Sequence, residues 1–359
     1  MTRANSTNDK GYFSLVDTAG PRLVASWAVT PGAAPLPLAL APALAREQVL
    51  AEFEELADEA RAYVGATRAG STRRAYASDW RHFLDWCGSR HLTALPGLPE
   101  TVALYITHLA GERRVATVQR RLAAISQVHQ DAGHPTPTED RLVRKTMSGI
   151  RRTHGTAPRR KSATRTTLLR EMVHDLPATT EGARDRALLL MGFAGAFRRS
   201  ELVALDRGDV VFDPDGVRVT IRVSKTDQEG AGQIVGLPYG EHPETCPVRA
   251  LRAWLALLED DAPAVFRRMS KWGTACRSRL TAQSVALIVK RRAEAAGQDP
   301  RLFAGHSLRA GLATSAAAGG ATERDIMQQT RHRSVAMVRR YIRDGELFHK
   351  GNAARFTGL

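Results

Sequence analysis

The chain has little with which to build a metal centre, a disulfide framework or a membrane span. Cysteine occurs three times in 359 residues, at Cys87, Cys246 and Cys276. The three are scattered, odd in number and form no C-x-x-C pair, so they suit a reducing cytosol and imply no disulfides. No carboxylate pair or thiolate cluster is spaced to hold a metal. His242, four residues before Cys246, lacks the rest of a zinc ligand set, and no structural zinc is expected. The longest apolar run, Ala187 to Phe197, is too short for a bilayer and contains two glycines. The polar N-terminus M-T-R-A-N-S-T-N-D-K does not read as a signal peptide. No internal repeat is visible. Acidic residues are also scarce: 37 Asp+Glu stand against 52 Lys+Arg, a formal charge of +15. That excess favours a polyanionic partner, nucleic acid being the commonest. An inert basic surface is the plainer alternative.

What is present reads as two domains, since 359 residues exceed one comfortable small core. Residues 1–43 lack sustained periodicity, are Pro/Ala-rich from Thr30 to Ala43, and read as a disordered tail. Residues 44–155 read as an all-helical domain. Phe53, Leu56, Ala60 and Tyr63 share the face of a first helix. Ser71 is a candidate cap for a second, with Tyr76, Trp80, Phe83, Leu84 and Cys87 at helical spacing. Further helices open at Pro99-Glu100, carry Val118, Leu122, Ile125 and Val128, and run from about 138 to 152. The stretch Arg141, Arg144, Lys145, Arg151, Arg152, Arg159, Arg160, Lys161, Arg165 is basic. Its part at 156–165 is expected to be an interdomain linker lying along a phosphate backbone.

Residues 166–343 read as mixed. Helices are predicted at 166–176 and 181–195, and two strands flank the turn D-P-D-G (Asp213 to Gly216). A third strand is predicted near 233–237, then helices at 247–259, 282–296, 307–318, 322–330 and 334–343. The fold class is therefore α+β: mainly α with a small antiparallel β-sheet.

Chemistry-bearing residues concentrate in this second domain. They are A-F-R-R-S-E-L (Ala196 to Leu202), S-K-T-D around Lys225, G-H-S-L-R (Gly305 to Arg309), R-H-R-S-V (Arg331 to Val335) and Tyr341. His306 and Arg309 fall at i and i+3 of a predicted helix, on one face. His332 lies nine residues before Tyr341, so a turn and a short helix bring both to one point. Lys225 sits at a strand tip beside the glycine-rich E-G-A-G (Glu229 to Gly232). Singly each motif is commonplace. Together they form a set suited to attack on a phosphodiester: a hydroxyl nucleophile, groups that move protons, and cations for a phosphorane.

This constellation resembles the tyrosine recombinase (phage integrase) family, Cre-like branch, over about residues 45–345. The match rests on G-H-S-L-R-A-G, D-I-M-Q (Asp325 to Gln328) and R-R-Y-I-R (Arg339 to Arg343), with Trp80, Trp86 and Cys87 near the second helix. The resemblance implies that Arg198 and Arg309 are catalytic arginines, Lys225 the hairpin lysine, and His306 the partner of Arg309. It makes His332 the His/Trp position, Tyr341 the nucleophile and Glu201 a supporting acid. Arg199 adjoins Arg198, and the register R-x-S-E-L selects Arg198. Arg331 stands where the family has glycine, which implies either an altered local backbone or an added phosphate contact.

The chemistry follows. A tyrosine of ordinary pKa, about 10, needs a proton acceptor or local positive charge. Arg198 and Arg309 clamp the non-bridging oxygens. His306 acts as base or positioner, His332 donates to a non-bridging oxygen, and Lys225 protonates the leaving 5′ oxygen. The product is a 3′-phosphotyrosyl link, so neither ATP, metal nor cofactor is expected. By resemblance, four protomers synapse two duplexes and exchange strands through a Holliday junction, in the cytoplasm and with no membrane partner. The tail at 344–359, with Leu347, Phe348 and Phe356, is a candidate protomer contact. DNA contacts are expected from Arg151, Arg152, Arg159, Arg160 and Lys161. On the helix near Thr281 they are expected from Gln283, Lys290 and Arg291; the Cre-like resemblance implies a base-reading side chain at Gln283, and glutamine suits adenine. A type IB topoisomerase-like relaxing enzyme and a catalytically silent DNA-binding relative remain the alternatives.

Overall fold

The structure, a computed structural model, describes residues 43–157, 161–224, 232–332, 334–346 and 357. Two units are distinguished, Met1–Arg68 and Ala69–Leu359. Helix α1 (Ala43–Ala66) belongs to the first, and its Phe53, Leu56 and Tyr63 side chains are exposed.

The second unit begins with four helices, α2 (Gly70–Gly88), α3 (Pro99–Ala110), α4 (Val115–Asp131) and α5 (Arg141–His154). Their apolar stripes converge on Phe83, Trp86, Tyr105, Ile106, Val118, Ile125 and Met147. Leu84, expected on the inner face of α2, is exposed, and Trp86 takes the buried place. Ser71 is not the cap of α2, because the helix already starts at Gly70 with Ala69 as N-cap. A polar knot sits among these side chains. Asp79 is buried and accepts two hydrogen bonds from Arg120, at 2.7 and 3.0 Å. Arg121 reaches Tyr105 Oη at 3.1 Å, and burial pushes the Tyr105 phenol up to about 12. Helix α5 starts where the Asp140 carboxylate accepts from Leu142 N–H at 2.6 Å, a side-chain cap for an otherwise orphaned donor. It stops at Gly155, whose φ of 71° favours glycine.

A second core lies between Leu169 and Leu308 in the chain. Its elements are α6 (Thr166–His174), α7 (Thr180–Ala194), α8 (Arg199–Ala204), β1 (Val210–Asp213), β2 (Gly216–Ile221) and β3 (Gln233–Pro238). They continue with α9 (Pro247–Ala256), β4 (Arg267–Met269), β5 (Ala275–Arg279), α10 (Ala282–Ala295) and α11 (His306–Ala318), while α12 (Glu323–Thr330) and α13 (Val335–Glu346) pack with α11 in a smaller separate cluster. Strands β1, β2 and β3 form an antiparallel sheet in that order, with Asp213 opposite Gly216 across the D-P-D-G turn. The period of two is clear on β2: Val217, Val219 and Ile221 are buried, while Arg218 faces out and pairs with Asp213 at 2.6 Å. The protein is thus mostly helical with small antiparallel sheets, the class the sequence implies.

Two elements lie outside the sequence expectation. Strands β4 and β5 form a separate two-stranded ribbon. The fully buried residue at its start is Arg267, held by Asp260 at 2.5 Å and by the Ala264 carbonyl at 3.0 Å. A buried arginine breaks the apolar alternation that marks a strand. Helix α8, of six residues, is too short to show a period.

Residues 161–165, read from the sequence as the end of a linker, are built into this second core. Ser162 N–H donates to the Leu302 carbonyl at 2.7 Å and Thr164 N–H to the Ser307 carbonyl at 2.9 Å. Gly311 permits this contact: a Cβ there would lie 1.9 Å from the Thr164 carbonyl oxygen.

Candidate active site

The site is assembled around the C-terminal end of α7. The chain leaves that helix through Gly195 and then Ala196, whose φ of 46° is left-handed. This turn presents the Ala196 carbonyl to two guanidinium groups and delivers Arg198 to the start of α8. Glu201 closes the turn. Its side chain is 1% exposed, and its Oε2 accepts the Arg198 backbone N–H at 2.9 Å. Its Oε1 accepts Arg198 Nη1 at 2.5 Å. Arg199 is exposed, so Arg198 is the arginine that faces Glu201.

Helix α11 brings the histidine–arginine pair. Arg309 is 1% exposed and donates from Nη1 to the Ala196 carbonyl at 2.7 Å. Its Nη2 is buried with no partner among the described residues. Burial, then the neighbouring Arg198 and Arg331, push the Arg309 guanidinium down to about 9, so it stays charged at neutral pH. One turn earlier, exposed His306 meets Tyr341 on α13, with Nε2 and Oη 2.9 Å apart. The alanines of α11 allow that approach: Ala313 and Ala317 cluster with Ile326 of α12 and Val338 of α13, and Tyr341 packs against them. A cavity of about 570 Å³ opens beside this pair, lined by Lys161, Arg165, His306, Thr314, Arg340 and Tyr341 among others.

His332 follows α12, with its ring centroid 5.8 Å from that of Tyr341. Its Nδ1 lies 2.7 Å from Thr330 Oγ1. The Thr330 hydroxyl proton is directed to the Ile326 carbonyl, 2.5 Å away. A hydroxyl has one proton, so Nδ1 must be the donor in the His332 contact. Neutral His332 is therefore the Nδ1–H tautomer, with a bare lone pair on Nε2. Burial, followed by Arg309, Arg198, His306 and Arg331, pushes this imidazole down to about 4, and it is neutral near pH 7.

Between Thr330 and His332 lies Arg331, where the sequence resemblance implies glycine. Arg331 has φ 55° and ψ 41°, left-handed backbone that closes α12. Its guanidinium points inward. Nη1 donates to the carbonyls of Gly195 at 2.9 Å and Gln329 at 3.0 Å. Nη2 donates to the Ala196 carbonyl at 3.2 Å and Glu201 Oε2 at 2.9 Å.

The structure thus gathers Arg198, Glu201, His306, Arg309, His332 and Tyr341. Sequence reasoning missed the parts played by Thr330, the Ala196 carbonyl and Arg331. The sole sequence signal for the last was an arginine where glycine was expected. Lys225, Arg159, Arg160, Leu347, Phe348 and Phe356 lie outside the described residues. Arg151 and Arg152 are exposed in the last turn of α5. Lys161 donates from Nζ to the Arg301 carbonyl. Gln283 is exposed in the first turn of α10, whose N-cap Thr281 accepts from Ser284 N–H at 3.1 Å. Lys290 is half-buried on the same helix. Arg291 is engaged within the chain, by Glu181 and Asp185 at 2.8 Å each, and ties α10 to α7.

Comparison with known proteins identifies the family. The phage integrase family matches residues 163–346. The integrase/recombinase xerD homolog of Selenomonas ruminantium is 44% identical over 308 residues, covering 84% of this chain and 89% of its own length. Recombinase cre of Escherichia phage P1 is 25% identical over 286 residues, 74% of this chain and 81% of that one. The XerH site-specific recombinase bound to palindromic difH substrate shares the fold at a TM-score of 0.53 and 19% identity, covering 73% of this chain and 72% of that one. A lambda integrase dimer bound to a COC′ core site does so at 0.53 and 16%, covering 80% and 93%. With this family match over its catalytic half and a relative at 44% identity along most of its length, the chain belongs to the phage integrase family of tyrosine recombinases.

Proposed function

We propose that this chain is a site-specific DNA recombinase that cuts and rejoins DNA through a 3′-phosphotyrosyl intermediate on Tyr341. The contact of 2.9 Å between His306 Nε2 and Tyr341 Oη carries this reading, because it joins a nucleophile to a proton acceptor. It stands beside Arg309, whose buried Nη2 has no partner among the described residues and suits a non-bridging phosphate oxygen.

In this mechanism His306 draws the Tyr341 proton as Oη attacks phosphorus. Arg198 and Arg309 hold the non-bridging oxygens while charge accumulates on them. His332 begins neutral. Burial first and the guanidinium groups second hold it so; beside the phosphodiester anion a proton taken from solvent onto Nε2 lets it donate to a non-bridging oxygen, Nδ1 being fixed on Thr330. Lys225 protonates the departing 5′ oxygen. The P–O bond to the 5′ oxygen breaks as the bond to Oη forms, and the ester keeps the energy for rejoining without ATP. The arginines and the lysine supply the positive charge that a metal supplies elsewhere. Arg151, Arg152, Arg159, Arg160 and Lys161 contact phosphates near the junction of the two helical domains, and α10 enters the major groove with Gln283 at its tip. Two synapsed duplexes, four protomers and a Holliday junction complete the exchange. The protein acts on DNA in the cytoplasm; among the described residues no helix is long and apolar enough to cross a membrane.

The test is covalent capture. The protein is incubated with DNA flanking its own gene, adducts are trapped in denaturant, and cleavage positions are mapped. Wild type should leave protein on a 3′ phosphate at discrete positions. Tyr341→Phe should bind the same DNA and leave none. Adduct at wild-type yield in the variant would remove Tyr341 from the reaction. Relaxation of plasmids lacking the mapped site, without strand exchange between two sites, would point to a topoisomerase instead.

A further inference from the structure

We infer that Arg331 is a positioning residue of this active site, holding Glu201 and the Ala196 carbonyl so that Arg198 and Arg309 keep N–H groups available for the phosphate. This rests on the recombinase reading above.

Three observations carry it. Arg331 stands in left-handed backbone, φ 55° and ψ 41°, which glycine adopts without strain and a residue bearing a Cβ adopts at a cost. A helix end alone gives no reason for arginine there. Its side chain is only 6% exposed and is engaged on the far side of the site by Gly195, Ala196 and Glu201. It is therefore occupied internally and badly placed for a phosphate contact of its own.

The sharing of acceptors gives the consequence. Glu201 Oε1 takes Arg198 Nη1, whereas Oε2 takes Arg331 Nη2 together with the Arg198 backbone N–H. With Oε2 occupied in this way, the Arg198 side chain makes one bond to the carboxylate instead of a parallel two-bond fork. The remaining edge of its guanidinium is left for substrate. The Ala196 carbonyl is shared likewise by Arg309 Nη1 at 2.7 Å and Arg331 Nη2 at 3.2 Å. Two left-handed residues, Ala196 at φ 46° and Arg331 at φ 55°, meet at this carbonyl, and such strain persists where the surrounding structure over-determines it. Without the Arg331 guanidinium, Glu201 closes on Arg198 as a two-bond pair and the Ala196 turn loses one of its two clamps.

The experiment compares Arg331→Gly and Arg331→Ala with wild type on a nicked duplex of the mapped cleavage site. Single-turnover adduct formation at saturating DNA and equilibrium DNA affinity are both measured, at a temperature where circular dichroism shows each protein folded. The two variants lack the same guanidinium but differ in backbone strain. Both should keep wild-type affinity and cleave more slowly by on the order of 10- to 100-fold, the usual cost of losing a partner that orients a reacting group. Cleavage at the wild-type rate in both overturns the inference, leaving Arg331 as a plain helix end. A defect in Arg331→Ala alone assigns the effect to backbone strain and overturns it too. Parallel loss of affinity and rate makes Arg331 a DNA contact or a fold determinant, again against the inference. No adduct from wild type removes the recombinase reading itself, and the inference with it.

Discussion

Thr330→Val isolates the part of the site that sets the His332 tautomer. Valine keeps the shape of threonine and removes the one hydroxyl. In the wild type that hydroxyl donates to the Ile326 carbonyl at 2.5 Å and accepts from His332 Nδ1 at 2.7 Å, in a fully buried position. The Ile326 carbonyl loses only a second donor, a small change. His332 loses the acceptor of its Nδ1–H. A buried hydrogen bond of this kind is worth about 1 kcal/mol net, and leaving the N–H unpaired costs about 1–3 kcal/mol. The ring escapes part of that cost by moving its proton to Nε2. The Nδ1–H tautomer should therefore lose about fivefold in relative population, with unfolding free energy lower by about 1–2 kcal/mol. The assay is 15N NMR on protein labelled at its 11 histidines, with His332→Asn to assign the resonance. At pH 7.5 His332 is neutral, its pKa being about 4, so both ring nitrogens report the tautomer directly. Wild type should show protonated Nδ1 and bare Nε2, and Thr330→Val a mixture. A wild-type signal with the proton on Nε2, or identical tautomer ratios in the two proteins, refutes the role given to Thr330.

Lys225→Ala should slow cleavage of ordinary DNA far more than cleavage of a substrate with a 5′-bridging phosphorothiolate, because sulfur leaves without a proton. Equal defects on the two substrates would move the acid elsewhere, to His306 first. Gln283→Arg should shift preference at one base pair from adenine toward guanine, a contact worth about 1–3 kcal/mol. Selection on randomised sites at one salt concentration checks it, and identical profiles mean Gln283 reads no base. For pH, burial and the guanidinium groups place the His332 pKa, about 4, below its ordinary 6.5. The unfolded chain then binds the extra proton between those values. This part of the stability is complete above about pH 6.5 and is lost as pH falls toward 4. The DNA-free melting temperature should fall over that window, and less steeply in His332→Gln. His82 and His129, also lowered chiefly by burial, keep the remainder. An unchanged slope in the variant would show that His332 does not titrate there.

Much of this architecture is legible in the order of the residues. Helices α3 to α5 and α9 to α13 carry apolar residues at helical spacing, and D-P-D-G marks the hairpin. Those signals are local, set within one or two turns of chain. The candidate set is marked out for another reason: its motifs, in their order along the chain, resemble those of the tyrosine recombinases, and the structure brings six of its residues together. The misses have separate causes. Ser71 has the chemistry of a cap, but α2 has already begun at Gly70. Arg267 is charged yet wholly buried, which no periodicity anticipates.

Residue order and type were enough to specify a mainly helical chain and to single out a candidate nucleophile with candidate groups to serve it, because those depend on spacing along the backbone and on side-chain chemistry. Folding alone decided which hydrogen bonds those groups make. Arg331 meets Glu201 across 130 positions, Arg309 meets the Ala196 carbonyl across 113, and His306 meets Tyr341 across 35. Contacts at such separations arise from packing of whole helices. They determine that Arg309 reaches the Ala196 carbonyl, that His306 meets Tyr341, and that Arg331 turns inward from a position suited to glycine.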